Sequence, residues 1–276
     1  WKSIGVYQFV TGSVNVLLIV GDAFGRPLVE EIERGDHELS SLLILVSGGA
    51  ALSPGIKERL LAAVPTMMVL DGLGASETGQ QASQLTSAGQ HATTGTFRPG
   101  PGMCVLSEEL DHVLAPGHAG LGWLAQTGRV PLGYLGDADK TARTFPTVDG
   151  ARCSVPGDRA RLREDGTLEL VGRDSVTINS GGEKIFAEEV EQALLRHPSV
   201  ADCLVAGRPS ERWGQEVVAV VQLAEGVEAT DEDLREEAAR HVARYKLPKA
   251  IIRVDRVRRA PSGKADYRWA REVAAG

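Results

Sequence analysis

An α/β protein in two parts is what this sequence predicts, and three observations carry the expectation. The run Leu42 to Val46 (LLILV) is wholly apolar and of strand length, and SGGA and SPGIKERLLAAV follow it, which reads as strand, glycine turn and helix. A second run, Thr66 to Leu70, leads into DGLGASETG, so a strand again delivers a polar, glycine-containing loop to one edge of a parallel sheet. That edge is where open α/β sheets bind ligands. After Gly172 the pattern changes to helices and paired strands in close succession, a small α+β unit. The boundary falls near Arg173, giving residues 1–172 as part of a large α/β domain with a small β region, and 173–276 as a compact second domain.

Taken in order, the apolar run Val14 to Val20 reads as a buried strand. Lys2 precedes it in the manner of a leader peptide, but the run is short and no small-residue cleavage site follows. The chain starts with Trp1 rather than Met, the expectation for a piece of something longer. Ser53 caps and Pro54 opens the helix after the first glycine turn. From Thr93 to Asp158 short extended segments alternate with Gly, Pro and Asp, which predicts small β structure. In the second part, Ala187 to Arg196 carries Val190, Leu194 and Leu195 at helical spacing and stops before Pro198. ADCLVAG and VVAVVQL read as paired strands. Thr230 caps a helix with Asp231, Glu232 and Asp233 in its first turn and Leu234, Ala238 and Val242 on one stripe; Leu247-Pro248 ends it, and Ala250 to Val257 is a final strand.

Composition narrows the function classes. The chain has 276 residues, 42% apolar and 24% charged, enough hydrophobicity for folded cores. A net charge of -7 argues against a general nucleic-acid or membrane-surface binder, since both need a positive field. No apolar stretch approaches the roughly 18 residues that span a bilayer. The charge is uneven: Arg244, Lys246, Lys249, Arg253, Arg256, Arg258, Arg259 and Lys264 face only Asp255 in their own stretch. That stretch is either a solvated basic face or an anion site for a phosphorylated ligand. Cys104, Cys153 and Cys203 are far apart and lack metal-ligand spacing, so they read as reduced, buried thiols of a cytoplasmic protein.

Five motifs then fall in register: SGGA, GASETG, PGD, GRDSVTINSGGEKIFAEEVE and PSGKADY. Singly each is an ordinary turn. In this order they resemble the adenylate-forming superfamily of acyl-CoA synthetases, luciferases and peptide-synthetase adenylation domains, with details most like bacterial fatty-acyl-CoA ligases. The resemblance implies an ATP-dependent acid-thiol ligase: a fatty or other carboxylic acid, ATP with Mg²⁺, and CoA as reactants.

Residue by residue, the resemblance lays Gly48, Gly49 and Ala50 along the adenine, where missing side chains let backbone approach a flat base; a simple strand-to-helix turn accounts for the glycines equally well. The second loop, with Asp71, Gly72, Leu73, Gly74, Ala75 and Ser76, is the other nucleotide contact. There Leu73 stands where the family usually has Tyr, so a stacking ring is missing, while Ser76 keeps a hydroxyl for phosphate and Glu77 an oxygen for Mg²⁺. Asp158 is the ribose acceptor and Arg173 a second ribose or phosphate contact, with a surface ion pair of Asp158 to Arg159 and Arg161 as the bland alternative. The hinge of the small domain falls at Asp174 or Ser175. Gly181, Gly182 and Glu183 form the loop that leaves room for the pantetheine arm of CoA, or else a plain hairpin turn; Glu183, Glu188, Glu189 and Glu191 read mostly as helix-start charge. Lys264 is the catalytic cation, stabilising the negative charge shared between carboxylate and α-phosphate.

The family's Thr/Ser/Gly-rich phosphate loop ending in Lys has no match. TTGTFRPGPG at Thr93 to Gly102 lacks a Lys and runs into prolines instead of a helix. The resemblance therefore covers the second half of the large domain and the whole small one, and the chain alone is expected to have little adenylation activity. Acid specificity falls partly to loops near Asp22 to Pro27 and Asp71 to Leu73. Two other functions fit the same residues: loading a carrier-protein thiol, and a noncatalytic remnant that binds nucleotide without turnover.

Overall fold

A computed structural model describes residues 14–35 and 37–276. Trp1 and Lys2, and with them the leader-like context, lie outside the described residues. The chain divides into two compact units: one runs to Pro156 and adds Ala160–Leu170, and the other joins Gly157–Arg159 to Val171–Gly276.

In the first unit, β1 (Val16–Ile19), β2 (Ile44–Gly48) and β3 (Met68–Ala75) are parallel neighbours, Leu18 beside Val46 and Val46 beside Leu70. Helices α1 (Gly21–Arg34) and α2 (Pro54–Ala63) cover one face, burying Val29, Leu45, Leu52, Ile56, Leu60 and Val69 in a common core. Beyond β3 the sheet turns antiparallel through β4 (Gly79–Ser87) and β5 (Thr96–Pro99). It continues into a β region made of β6 (Met103–Leu106), β7 (Gly122–Thr127), β8 (Thr147–Val148), β9 (Ala151–Ser154), β10 (Asp158–Leu162) and β11 (Leu168–Arg173). Phe97, Val105, Leu124, Ala160 and Leu168 form its core.

Several expectations need correcting here. The segment Asp22 to Pro27 is the start of α1, not a loop. Gly21 and Pro27 look like loop residues, but Gly25 is where α1 comes close to the next chain segment, a Cβ there lying 2.7 Å from Leu52. Asp71 to Leu73 is strand, because β3 runs on to Ala75 by pairing with β4, and only Ser76 to Thr78 remain as turn. TTGTFRPGPG contributes β5, a sheet strand. The β region also contains a short helix, α3 (Ala138–Thr144), capped by the Asp137 side chain on Lys140 N.

The second unit is a five-stranded sheet, β13 (Glu183–Phe186), β12 (Thr177–Ser180), β15 (Gly214–Leu223) and β14 (Val200–Ser210), with β16 (Ala250–Arg253) parallel to β15. Helices α4 (Ala187–Leu194) and α5 (Asp231–Ala239) pack on one face over Val205, Val217, Ala219 and Val221. Helix α6 (Tyr267–Ala275) packs on the other over Leu204, Ala206 and Val218. Cover on both faces explains why these strands read as unbroken apolar runs. Thr230 and Asp233 form a reciprocal capping box. The helix it starts ends at Ala239, well before Leu247, and the final strand stops at Arg253. Helix α6 has no counterpart in the sequence reading, because its buried face is made of Ala270 and Ala274, too small to stand out as a hydrophobic stripe.

Candidate active site

The parallel strands of the first unit end together, and their ends are bare backbone. Ser47 pairs with Asp71 and Gly48 with Gly72, so two glycines face each other across adjacent strands. Gly49 follows at φ +80°, a conformation that glycine adopts without cost, and Ala50 is half-buried. Gly74 admits no side chain, since a Cβ would sit 2.1 Å from the Gly79 carbonyl oxygen at a register shift between β3 and β4. Leu73 packs on the β-region core with Phe97 and Leu124. Asp71 is buried, and its carboxylate is bound to the buried Lys57 ammonium, which also donates to Gln84 Oε1 (3.3 Å) and Thr93 O (2.6 Å). Burial pushes the Asp71 carboxyl up and Lys57 pulls it back.

The turn beyond β3 is closed by Thr78, whose backbone N–H donates to Ala75 O (3.1 Å) and whose hydroxyl accepts from Ala75 N (3.0 Å). Ser76 is exposed at its tip. Glu77 Oε1 accepts a 2.6 Å hydrogen bond from the Tyr134 hydroxyl. Desolvation and the Glu77 carboxylate hold that hydroxyl above the usual phenol range, so it stays a donor. A pocket lined by Ile32, His37, Val64 and Thr66 among others lies at the opposite ends of these strands and contains none of the candidate residues.

In the second unit Asp158 is buried and accepts from Arg173 Nε at 3.1 Å. Arg173 is thus a partner of Asp158, while Arg161 donates to Gly120 O and approaches Glu169. Asp174 N donates to Gly157 O (3.0 Å), and Asp174–Val176 is a single 3₁₀ turn containing both hinge candidates. Gly181 and Gly182, at φ +60° and +89°, form the two-residue turn between β12 and β13. Glu183 lies in β13 opposite Ser180 and so has no place in a helix start, whereas Glu188 and Glu189 do occupy the first turn of α4. Glu191 is buried: it accepts from Val205 N (2.8 Å) and the Tyr267 hydroxyl (3.0 Å), and burial pushes it up to about 8. Burial likewise pushes Glu188 up to about 7.

Lys264 is exposed, and its side chain has no hydrogen-bond or ionic partner among the described residues. Its loop is tight: Ala260 N donates to Lys264 O (2.9 Å), Gly263 N to Ala260 O (2.8 Å), and Gly263 takes φ +82°. Arg259 anchors the loop through two bonds to Asp202, at 2.7 and 2.6 Å. In the basic stretch Lys246 pairs with Glu189, Arg253 with Asp231 and Arg258 with Asp266, so much of its charge is answered within the unit.

Residues 189–264 match the family model described as the AMP-binding enzyme C-terminal domain. The chain is 58% identical over 261 residues to the medium-chain acyl-CoA ligase Mig of Mycobacterium avium, covering 95% of this chain and 47% of that protein. It is 44% identical over 274 residues to a medium/long-chain-fatty-acid and 3-oxocholest-4-en-26-oate CoA ligase of Mycobacterium tuberculosis H37Rv, covering 99% and 49%. The chain carries the AMP-binding enzyme C-terminal domain. It spans about half the length of the curated relatives it matches. Solved adenylate-forming enzymes share its fold: the anthranilate CoA ligase AuaEII with anthranoyl-AMP superposes at a TM-score of 0.82 with 21% identity over 99% of this chain and 52% of that one. The amide bond synthetase McbA of Marinactinospora thermotolerans gives 0.83 at 23% identity, covering 100% and 55%.

Mg²⁺, which the adenylate-forming superfamily implies, meets a spare donor set. Among the described residues no cluster of three or more His, Cys, Asp or Glu could hold an ion by itself. A lone carboxylate at Glu77 fits an ion that is usually held through one or two carboxylates together with substrate phosphates. Three features of this chain escaped sequence reasoning. Lys57 stands on a helix, where a lysine ordinarily faces water, Tyr134 lies 57 positions from Glu77, and Glu191 reads as helix-start charge. The helical spacing of Glu191 with Ala187 and Leu194 could have flagged its burial; nothing local pairs Tyr134 with Glu77.

Proposed function

We propose that this chain is the C-terminal portion of an AMP-forming acyl-CoA ligase for medium- to long-chain fatty acids. The observation that carries the reading is the 58% identity over 95% of the chain to a medium-chain acyl-CoA ligase. In the first half-reaction the fatty carboxylate attacks the α-phosphorus of ATP; the bond to the β-phosphate oxygen breaks and pyrophosphate leaves. In the second, the CoA thiol attacks the acyl carbon, AMP leaves, and the thiol proton passes to solvent.

The roles follow from chemistry. Backbone at Gly48, Gly49, Ala50, Gly72, Leu73, Gly74 and Ala75 borders the adenine, with Asp71 holding that edge through Lys57. Ser76 offers its hydroxyl to phosphate, Asp158 with Arg173 receives the ribose, and Lys264 neutralises charge at the α-phosphate. Mg²⁺, held with Glu77, would screen the phosphate oxygens. Asp174 or Ser175 is the hinge between the two half-reactions, and Gly181, Gly182 and Glu183 border the pantetheine arm.

The remaining half of the enzyme supplies the phosphate loop. An uncovered face of the first sheet supports this: Leu18, Val46, Leu70 and Leu85 line up across four strands, and Leu18 and Leu85 are 74% and 54% exposed among the described residues. Parallel sheets are normally covered on both faces. A cytoplasmic location is proposed from the three free cysteines. No described helix is long and apolar enough to cross a membrane.

Acid-dependent pyrophosphate exchange tests the reading. The full-length protein should exchange, this chain alone should not, and Lys264→Ala should lower exchange on the order of 10² to 10³-fold. Wild-type exchange by the variant would remove Lys264 from the mechanism. Full-length protein that binds nucleotide without acid-dependent exchange would end the ligase reading.

A further inference from the structure

Glu77 sits in a three-residue turn, where a long side chain ordinarily samples several rotamers and loses up to about 2 kcal/mol of entropy when held. Here it is held from outside the turn, by the Tyr134 hydroxyl at 2.6 Å. Tyr134 is itself fixed on several sides. Its backbone N–H donates to Thr141 Oγ1 (2.9 Å), and its carbonyl accepts from Asp137 N (3.3 Å). Its ring lies 5.6 Å from that of Phe145, centroid to centroid, and Lys140 Nζ stands 3.9 Å from its own centroid. Gly133 leaves no room for a side chain on the approach, since a Cβ would meet Thr141 at 2.5 Å. Thr141 and Lys140 belong to α3 and Phe145 follows it, so a capped helix buttresses the tyrosine.

We propose that Tyr134 is a positioning residue for the adenylation half-reaction: its hydroxyl fixes the Glu77 carboxylate in the rotamer that meets the Mg²⁺–nucleotide complex. The inference rests on the reading of Glu77 as the carboxylate that faces Mg²⁺. Tyr134 touches neither phosphate nor acid; it acts by narrowing the search that Glu77 makes. Hydrogen bonds to a charged group are stronger than neutral ones, so losing the hydroxyl should weaken binding of the metal–nucleotide complex about tenfold or more.

The test compares Tyr134→Phe, Glu77→Gln and wild type in the full-length protein. Three quantities are read: pyrophosphate exchange against Mg²⁺ at fixed ATP, calorimetric binding of Mg·ATP without acid, and the thermal midpoint without ligand. The expected result for Tyr134→Phe is a rise of about tenfold in half-saturating Mg²⁺ and in the Mg·ATP dissociation constant. Its rate at saturating Mg²⁺ should stay near wild type and its thermal midpoint should be unchanged. If Glu77→Gln shifts the Mg²⁺ dependence and Tyr134→Phe does not, the positioning role is wrong while the Glu77 reading survives. A lowered thermal midpoint with unaltered Mg²⁺ dependence makes Tyr134 merely structural and also overturns it. If neither variant shifts the Mg²⁺ dependence, the Glu77 reading falls and takes the inference with it.

Discussion

At the scale of single residues, the second unit holds two carboxyls in places that favour the proton. Glu191 is buried between α4, β14 and α6, with Glu188 adding like charge, Arg259 opposing it, and Tyr267 and Val205 N as its donors. Its proton equilibrium moves from an ordinary 4.5 to about 8 in the fold. Because the folded chain keeps this proton longer than the unfolded chain, the contribution to stability is full below about pH 4.5 and is lost as pH rises through about 8. Each tenfold displacement of that equilibrium is worth about 1.4 kcal/mol. Denaturant titrations at pH 5 and pH 8 should therefore show wild type losing stability with rising pH at this site, and Glu191→Gln losing less. Equal pH dependence in the two proteins would mean that the carboxyl is ionised in the fold. Lys57 shows the opposite solution to burial, an ion pair completed by Gln84 and the Thr93 carbonyl. Its position on α2 was readable from the sequence, but its direction was not, because a lone Lys in an amphipathic helix ordinarily faces water.

At the scale of elements, the glycine pair of the β12–β13 hairpin serves conformation and space at once. Both residues take positive φ, as a two-residue turn of this hand requires, and a Cβ on Gly181 would come 2.9 Å from the Trp213 ring. Gly181→Val is expected to cost roughly 1–2 kcal/mol from the left-handed backbone alone. In the full-length protein it should slow thioester formation while leaving acid-dependent pyrophosphate exchange near wild type. Stopped single-turnover assays of the two half-reactions would separate these outcomes; equal slowing of both would detach the hairpin from CoA. The hairpin was legible in the sequence as a polar strand with two adjacent glycines before a helix. The GASET segment was less so: its residues read as a loop, yet Asp71 to Ala75 are strand because β4 returns to pair with them. Local propensity places turns well and says little about how far a partner strand extends.

At the scale of the molecule, an apolar sheet face is left without cover among the described residues. Val16 and Leu18 of β1 and Leu85 of β4 are exposed, and the strand registers, parallel through β3 and antiparallel to β4, align them with Ile44, Val46, Met68 and Leu70. If the other half of the enzyme covers this face, Leu18→Asp with Leu85→Asp should make the isolated chain less prone to associate. The same pair should abolish recovery of exchange activity when the two halves are expressed together. Light scattering and pyrophosphate exchange report the two effects, and recovered activity in the double variant would place the partner elsewhere.

The sequence by itself determined the α/β character, the Thr230-capped helix and the order of the motifs, because those depend on side-chain chemistry within a few positions of one another. Tertiary structure alone decided that Asp158 meets Arg173, that Tyr134 reaches Glu77, and that Lys57 and Glu191 are buried. Each of those outcomes joins residues from separate elements, and a contact across the fold costs chain entropy that only the packed whole repays.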